Sequence, residues 1–221
     1  ITSAILTMVQ AQDGSIYCGS NGNGIIVIKY GKVIRHITEA DGLNSLVVLR
    51  IVPYGEDLFY VTSDGIYYDD GENIRLLDNF PYSNNYDIYL SPDGEAWITS
   101  STGLYIVNAR SLAQNSNYSA RLLNENSGLD TALSAISWNY VDENGTMFLC
   151  TSTDVYAISI PDYGQTVVNF ELALESIKAD DVILTPSDNG TYIIPQDTEQ
   201  LIITPAVLNF TLNNPTIRMY L

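Results

Sequence analysis

The stretch Asp93-Gly94-Glu95-Ala96-Trp97-Ile98-Thr99-Ser100-Ser101-Thr102-Gly103-Leu104 decides the fold. It holds a turn dipeptide, a small residue, an aromatic, two strand residues and a hydroxyl, then a second turn closed by glycine and an aliphatic. Three further copies of its first half keep the same order: Asp13-Gly14-Ser15-Ile16-Tyr17-Cys18-Gly19-Ser20, Gly55-Glu56-Asp57-Leu58-Phe59-Tyr60-Val61-Thr62 and Asn144-Gly145-Thr146-Met147-Phe148-Leu149-Cys150-Thr151. The second turn recurs as Gly24-Ile25 and Gly65-Ile66, and in degenerate form as Asp154-Val155. The aromatics Tyr17, Phe59, Trp97 and Phe148 lie 42, 38 and 51 residues apart. A loose period of this length, built of turns and short strands, is the signature of a β-propeller blade.

Each copy supports that assignment locally. Asp-Gly and Asn-Gly provide the positive φ that tight hairpins require. The runs after them are rich in Ile, Val, Tyr and Phe, which fit a pleated, half-buried surface. The spacing predicts four strands per unit. Typical spans are Asp57–Thr62 and Ile66–Asp69 in the second unit, and Glu95–Ser100 and Leu104–Asn108 in the third. The first strand of unit four is read over Leu133–Val141 and its last over Val167–Phe170. An insertion after Asn108, with a short helix over Ala109–Gln114, accounts for the longest interval. One such sheet cannot bury both faces alone, so each repeat depends on its neighbours. Four units beginning directly at a first strand predict an exposed blade face or edge near residues 1–40, covered by another chain.

The fold class is therefore all-β: four four-stranded antiparallel propeller repeats over residues 1–160, then a partial β-sandwich over 161–221. After Pro161 the texture changes. Val168–Leu172, Ser176–Asp181, Tyr192–Pro195 and Leu201–Pro205 read as new strands with alternation and turns. An immunoglobulin-like sandwich needs about seven strands in ~100 residues, and only about half of that is present.

Composition narrows the function. The chain has 221 residues, with 9 basic and 26 acidic side chains, a net charge of −17. Nucleic acid is excluded as a partner, because phosphate binding requires clustered Lys and Arg. The cluster Asp69-Asp70-Gly71-Glu72-Asn73 lacks the alternating ligands and distal Glu of a calcium loop and reads as a hairpin turn. Cys18 and Cys150 occupy non-equivalent columns of the repeat, so both are expected as buried strand thiols rather than a disulfide. No run approaches the roughly 18 apolar residues of a membrane-spanning helix. There is no initiating Met, and the chain reads as a piece of something longer.

Catalytic constellations are hard to assemble. His36 is the sole histidine and falls at the end of an outer strand, which disfavours Ser-His-Asp and Cys-His chemistry. Zinc sites of the usual types lack ligands. Carboxylates are plentiful, but nearly all sit in turns, away from the paired geometry of glycoside hydrolysis. No glycine-rich loop leads into a helix, so no phosphate cradle forms. No cofactor, metal or catalytic residue is assigned.

A binding site is easier to locate. First strands line a propeller's central channel, where ligand sites form. Trp138 lies in Ile136-Ser137-Trp138-Asn139-Tyr140, at the first strand of unit four. Equivalent positions in units two and three fall near Leu49–Arg50 and Tyr86–Asp87. Trp138, Arg50 and Asp87 are thus the candidate ligand-binding residues: an aromatic, a cation and an anion converging on a polar ligand.

The repeats resemble the two-component regulator propeller. The resemblance rests on Asp41-Gly42-Leu43-Asn44-Ser45, on Leu58-Phe59-Tyr60-Val61-Thr62-Ser63-Asp64-Gly65-Ile66, on Ser100-Ser101-Thr102-Gly103-Leu104 and on Ser127-Gly128-Leu129, and it covers about residues 1–160. Unit two lacks the first Asp-Gly and unit four the second Gly. The segment beyond Pro161 is similar to the start of the triple-tyrosine (Y_Y_Y) sandwich, with Asn209–Pro215 and Arg218–Leu221 as its middle strands. The resemblance implies a non-enzymatic, extracytoplasmic sensor, homodimeric in the full receptor. A transmembrane helix outside these residues would join it to a histidine kinase, hybrid two-component system or diguanylate cyclase. The implied ligand is a polar small molecule or oligosaccharide. The acidic composition favours a neutral or cationic one. A catalytic propeller, glycosidase or lyase, and a dimerisation scaffold are the competing readings.

Overall fold

A computed structural model describes residues 3–81, 84–117, 119–127, 129, 133–134, 138–163 and 171–208. The chain divides into two compact units, Ile1–Gln165 and Thr166–Leu221.

The first unit is a run of antiparallel meanders. Blade 1 comprises β1 (Ile5–Gln10), β2 (Ile16–Ser20), β3 (Ile25–Lys29) and β4 (Lys32–Ile37) in that order. Blade 2 comprises β5 (Val48–Tyr54), β6 (Asp57–Thr62), β7 (Ile66–Asp69) and β8 (Ile74–Leu76). Blade 3 comprises β9 (Asn85–Leu90), β10 (Glu95–Ser100), β11 (Gly103–Asn108) and β12 (Arg121–Leu123), with α1 (Ala109–Ala113) between its last two strands. Blade 4 shows β13 (Tyr140–Val141), β14 (Thr146–Cys150) and β15 (Val155–Ser159). Its expected outer strand, Val167–Phe170, lies outside the described residues.

Alternation along the second strands explains how the blades stack. Leu58 and Tyr60 face blade 1 and pack with Ile25, Val27 and Ile37. Phe59 and Val61, on the opposite face, pack with Ala96 and Ile98 of blade 3. Trp97, pointing the other way from Ala96, packs with Met147 and Leu149 of blade 4. A strand buried on both faces must be apolar throughout, hence runs such as Leu58–Val61. The linkers add plugs: Leu43 enters the first inter-blade core, Phe80 the second and Leu129 the third. The short helix is capped by the Asn108 side chain on the Ser111 amide and buries Ala109, Leu112 and Ala113 in the second core.

The aromatic column is real by register. Tyr17 pairs with Val9, Phe59 with Val52, Trp97 with Tyr89 and Phe148 with Tyr140. Trp97 is 0% exposed. Phe148 departs from the expected packing between blades: it is only partly buried and stacks on the largely exposed Tyr140, 6.0 Å between centroids. At the opposite end, blade 1 exposes Met8, Ile16, Val33 and Ile34.

The repeated hydroxyl also has a physical reason. Ser20 Oγ donates to the Gly24 carbonyl at 2.9 Å, Thr62 Oγ1 to Gly65 at 3.0 Å, Ser100 Oγ to Gly103 at 2.9 Å and Thr151 Oγ1 to Asp154 at 3.0 Å. Each bond closes the turn between second and third strands. Gly24 and Gly103 sit at positive φ against the outer strand. A Cβ there would fall 2.2 Å from the Ile37 carbonyl oxygen and 2.1 Å from that of Leu123.

In the second unit, β16 (Glu171–Ala179) is flanked by β17 (Val182–Leu184) and β18 (Leu201–Leu208) in one antiparallel sheet. The strand expected over Tyr192–Pro195 is absent. Pro195 has no N–H to donate, and Ile193 and Ile194 are exposed, so no core holds the segment flat. The expected strands Asn209–Pro215 and Arg218–Leu221, and residues 168–170, lie outside the described residues.

Candidate functional site

The site is built from bulges. In each of the first three blades the first strand carries one residue more than its partner takes up: Leu6 between Ile5 and Thr7, Leu49 between Val48 and Arg50, Tyr86 between Asn85 and Asp87. Such bulges re-aim the side chains beside them. Thr7, Arg50, Asp87 and Trp138 each stand two residues before the first-strand partner of the aromatic column, so they form one column across four blades. Trp138 is not in a strand, contrary to expectation: among the described residues of Leu133–Val141, the ladder consists of a bridge from Leu133 to Thr151 and the short β13. Blade 4 spans seven residue steps between bridge and column, Leu133 to Tyr140, where blade 3 spans four, Asn85 to Tyr89. A ladder cannot absorb the surplus, and residues 138–139 leave it.

The three sequence-derived candidates meet, and they meet one another. Arg50 Nε lies 2.8 Å from Asp87 Oδ1. The N–H does not point at that oxygen, so the contact is ionic without an aligned hydrogen bond. The Arg50 guanidinium also lies over the Trp138 indole, 4.7 Å from its centroid, in cation–π range. The backbone N–H of Asn139 donates to Asp87 Oδ2 at 3.0 Å, and that of Ile88 to Oδ1 at 2.8 Å. Blades 2, 3 and 4 are thereby braced through one carboxylate.

Burial separates the roles. The Asp87 side chain is 1% exposed and that of Arg50 27%, while Trp138 is 52% exposed. Burial pushes the Asp87 carboxyl above its ordinary value, against the opposing pull of Arg50 and of the Asn139 and Ile88 N–H groups. Both Asp87 oxygens are occupied within the chain, so it positions its neighbours. Arg50 and Trp138 keep the exposed surface of the group. Sequence reasoning missed Asn139, whose buried Nδ2 has no hydrogen-bond partner among the described residues. Its position beside Trp138 was the available signal.

Other candidates resolve as structure. His36 is exposed on β4, with Nε2 2.7 Å from the Asn23 carbonyl. In the acidic cluster, Asp69 accepts the Gly71 N–H and Asp70 those of Glu72 and Asn73, so the carboxylates close a turn. Among the described residues no group of three or more His, Cys, Asp or Glu is placed to hold a metal ion. Both cysteines are free thiols: Cys18 is buried as expected, but Cys150 is exposed, on the outward side of blade 4 that also carries Phe148 and Tyr140.

No family model matches the sequence, and no curated protein matches it. Solved structures do match in fold. The extracellular domain of BT3049 from B. thetaiotaomicron, assigned as a hybrid two-component system, superposes at TM-score 0.61 with 12% identity, over 89% of this chain and 28% of that one. That of BT4673, assigned likewise in the same organism, gives TM-score 0.51 and 11% identity over 80% of this chain and 30% of that one. PorZ, a surface component of the type-IX secretion system of Porphyromonas gingivalis, gives TM-score 0.51 and 18% identity over 71% and 24%. The chain spans less than a third of the length of each. The likeness is one of fold: stacked, antiparallel β-sheet blades like parts of these domains. No helix among the described residues is long and apolar enough to cross a membrane.

Proposed function

We propose that this chain is the ligand-sensing part of an extracytoplasmic receptor propeller, binding a polar ligand, a glycan fragment, without turning it over. The observation that carries the reading is the column at the inner strands: a half-exposed Trp138 backed by Arg50, fixed by the buried Asp87. An indole presented this way offers a flat apolar face for a sugar ring beside a donor fork for its oxygens. The nearest acid is held by two N–H groups and a guanidinium, which keeps it out of proton transfer. The fold likeness to extracellular domains of two-component systems supports the setting. In that setting a membrane helix elsewhere in the receptor and a dimer would carry the signal to an output domain. In this reading residues 161–221 form the N-terminal part of an immunoglobulin-like sandwich that follows the propeller. The test is calorimetry of the whole ectodomain against a glycan panel, with product analysis in parallel. Binding without cleavage is the expected result. Cleavage of a bound sugar overturns the sensor reading, and binding that survives Trp138→Ala unchanged removes that residue from the site.

A further inference from the structure

We infer that the ligand subsite at this column is selective for a carboxylate, supplied by a uronic-acid residue. The inference rests on the proposed binding role of the column and adds which chemical group it reads. Its basis is an imbalance between donors and acceptors. Asp87, the acid of this column, is engaged at both oxygens: Oδ1 takes the Ile88 N–H and the charge of Arg50, and Oδ2 takes the Asn139 N–H. Beside Asp87, donors of Arg50 and Asn139 remain unfilled. Arg50 approaches Asp87 through Nε, which leaves the end-on pair of Nη groups on a side chain that is 27% exposed. Asn139 Nδ2 is buried with no partner among the described residues. The two donors flank a single carboxylate, because Arg50 Nε and the Asn139 backbone are each tethered to one of its oxygens.

A guanidinium fork matches a planar carboxylate bidentately. A buried amide N–H left unpaired carries a desolvation cost that an incoming acceptor removes. Trp138, exposed beside them, would cover the pyranose face. The net charge of −17 argues for a neutral or cationic ligand. That long-range repulsion is screened beyond roughly 8 Å at physiological ionic strength, whereas the donors act at contact. Local chemistry therefore outweighs the overall charge. Asn139 becomes the specificity-determining residue, and Asp87 a positioning one.

The test uses the 221-residue chain and four probes: trigalacturonate, its methyl ester, the neutral galactose trimer, and cyclohexanecarboxylate as a non-sugar acid. Trigalacturonate is expected to bind at least tenfold more tightly than the ester and the neutral trimer. Asn139→Ala should reduce that preference several-fold, and Asn139→Asp should abolish it. Asn139→Ala should not shift the thermal midpoint appreciably, because Asn139 Nδ2 has no internal partner to lose, whereas Asn139→Asp sets a like charge beside Asp87 and should lower it. Equal binding of acid and ester, a preference unmoved in both variants, or no binding of any probe overturns the inference. Binding of the neutral trimer without acid preference refutes the carboxylate subsite and leaves the glycan-sensor reading intact. Cyclohexanecarboxylate binding as tightly as trigalacturonate, and lost in Asn139→Asp, keeps the carboxylate subsite and refutes the glycan reading.

Discussion

Arg50→Ala isolates the brace that links blades 2, 3 and 4. Removing the guanidinium leaves Asp87, 1% exposed, with two N–H donors and no counter-charge. Opposite charges about 4 Å apart interact by about 4 kcal/mol at an effective dielectric of 20. Breaking a buried pair from one side costs about 3–5 kcal/mol. Because the Arg50 side chain keeps 27% of its surface, water already carries part of its charge, and about 3 kcal/mol at neutral pH is the expected loss. The loss should depend on pH. Burial already raises the Asp87 carboxyl in the intact protein, and without Arg50 it rises further. A carboxyl raised in the folded state holds its proton there after the unfolded chain has released it. Stability is therefore greatest below the ordinary carboxylate value and falls as pH rises through the folded-state value, by up to about 1.4 kcal/mol per pH unit. Arg50→Ala should thus lose little at acid pH and most at neutral pH. Adding Asp87→Asn should recover much of the neutral loss. Urea unfolding followed by fluorescence suits the measurement, because both tryptophans, Trp97 and Trp138, lie in the first unit. A loss under about 1 kcal/mol with an unchanged pH profile would be the behaviour of a surface pair and would refute the brace.

Trp97→Ala should cost about 3–5 kcal/mol, since it empties a fully buried position between blades 3 and 4, whereas Phe148→Ala should cost clearly less in the same unfolding assay. Equal losses would mean that Phe148 is covered as deeply as Trp97. Gly24→Ala should lower the unfolding midpoint by forcing a Cβ onto the Ile37 carbonyl at positive φ, while Gly31→Ala, which meets no atom within 4 Å, pays only for its φ. The Lys29 ammonium, 2.7 Å away, with the Ser15 N–H holds the Asp13 carboxyl down at about 2. Lys29→Met should move its NMR titration toward the ordinary value, and the pair's stabilisation should be present above that ordinary value and fade as pH falls toward 2.

The repeat was legible because it is local. Turn dipeptides, the hydroxyl three residues past the aromatic and the glycine after it act over fewer than a dozen residues, so strands such as Asp57–Thr62 and Glu95–Ser100 could be read from sequence alone. The Tyr192–Pro195 strand failed because alternation records apolar side chains but not whether a partner covers them. The column of Arg50, Asp87 and Trp138 was reachable by counting units in phase. Its internal pairing was not, because three blades must stack before a guanidinium from β5 can reach a carboxylate on β9 and an indole next to β13. Sequence determined which residue types stand in the column. Only the tertiary structure decided which of them are used up inside the protein, Asp87, and which face outward, Arg50 and Trp138, since burial and hydrogen-bond saturation are properties of packed neighbours far apart in the chain.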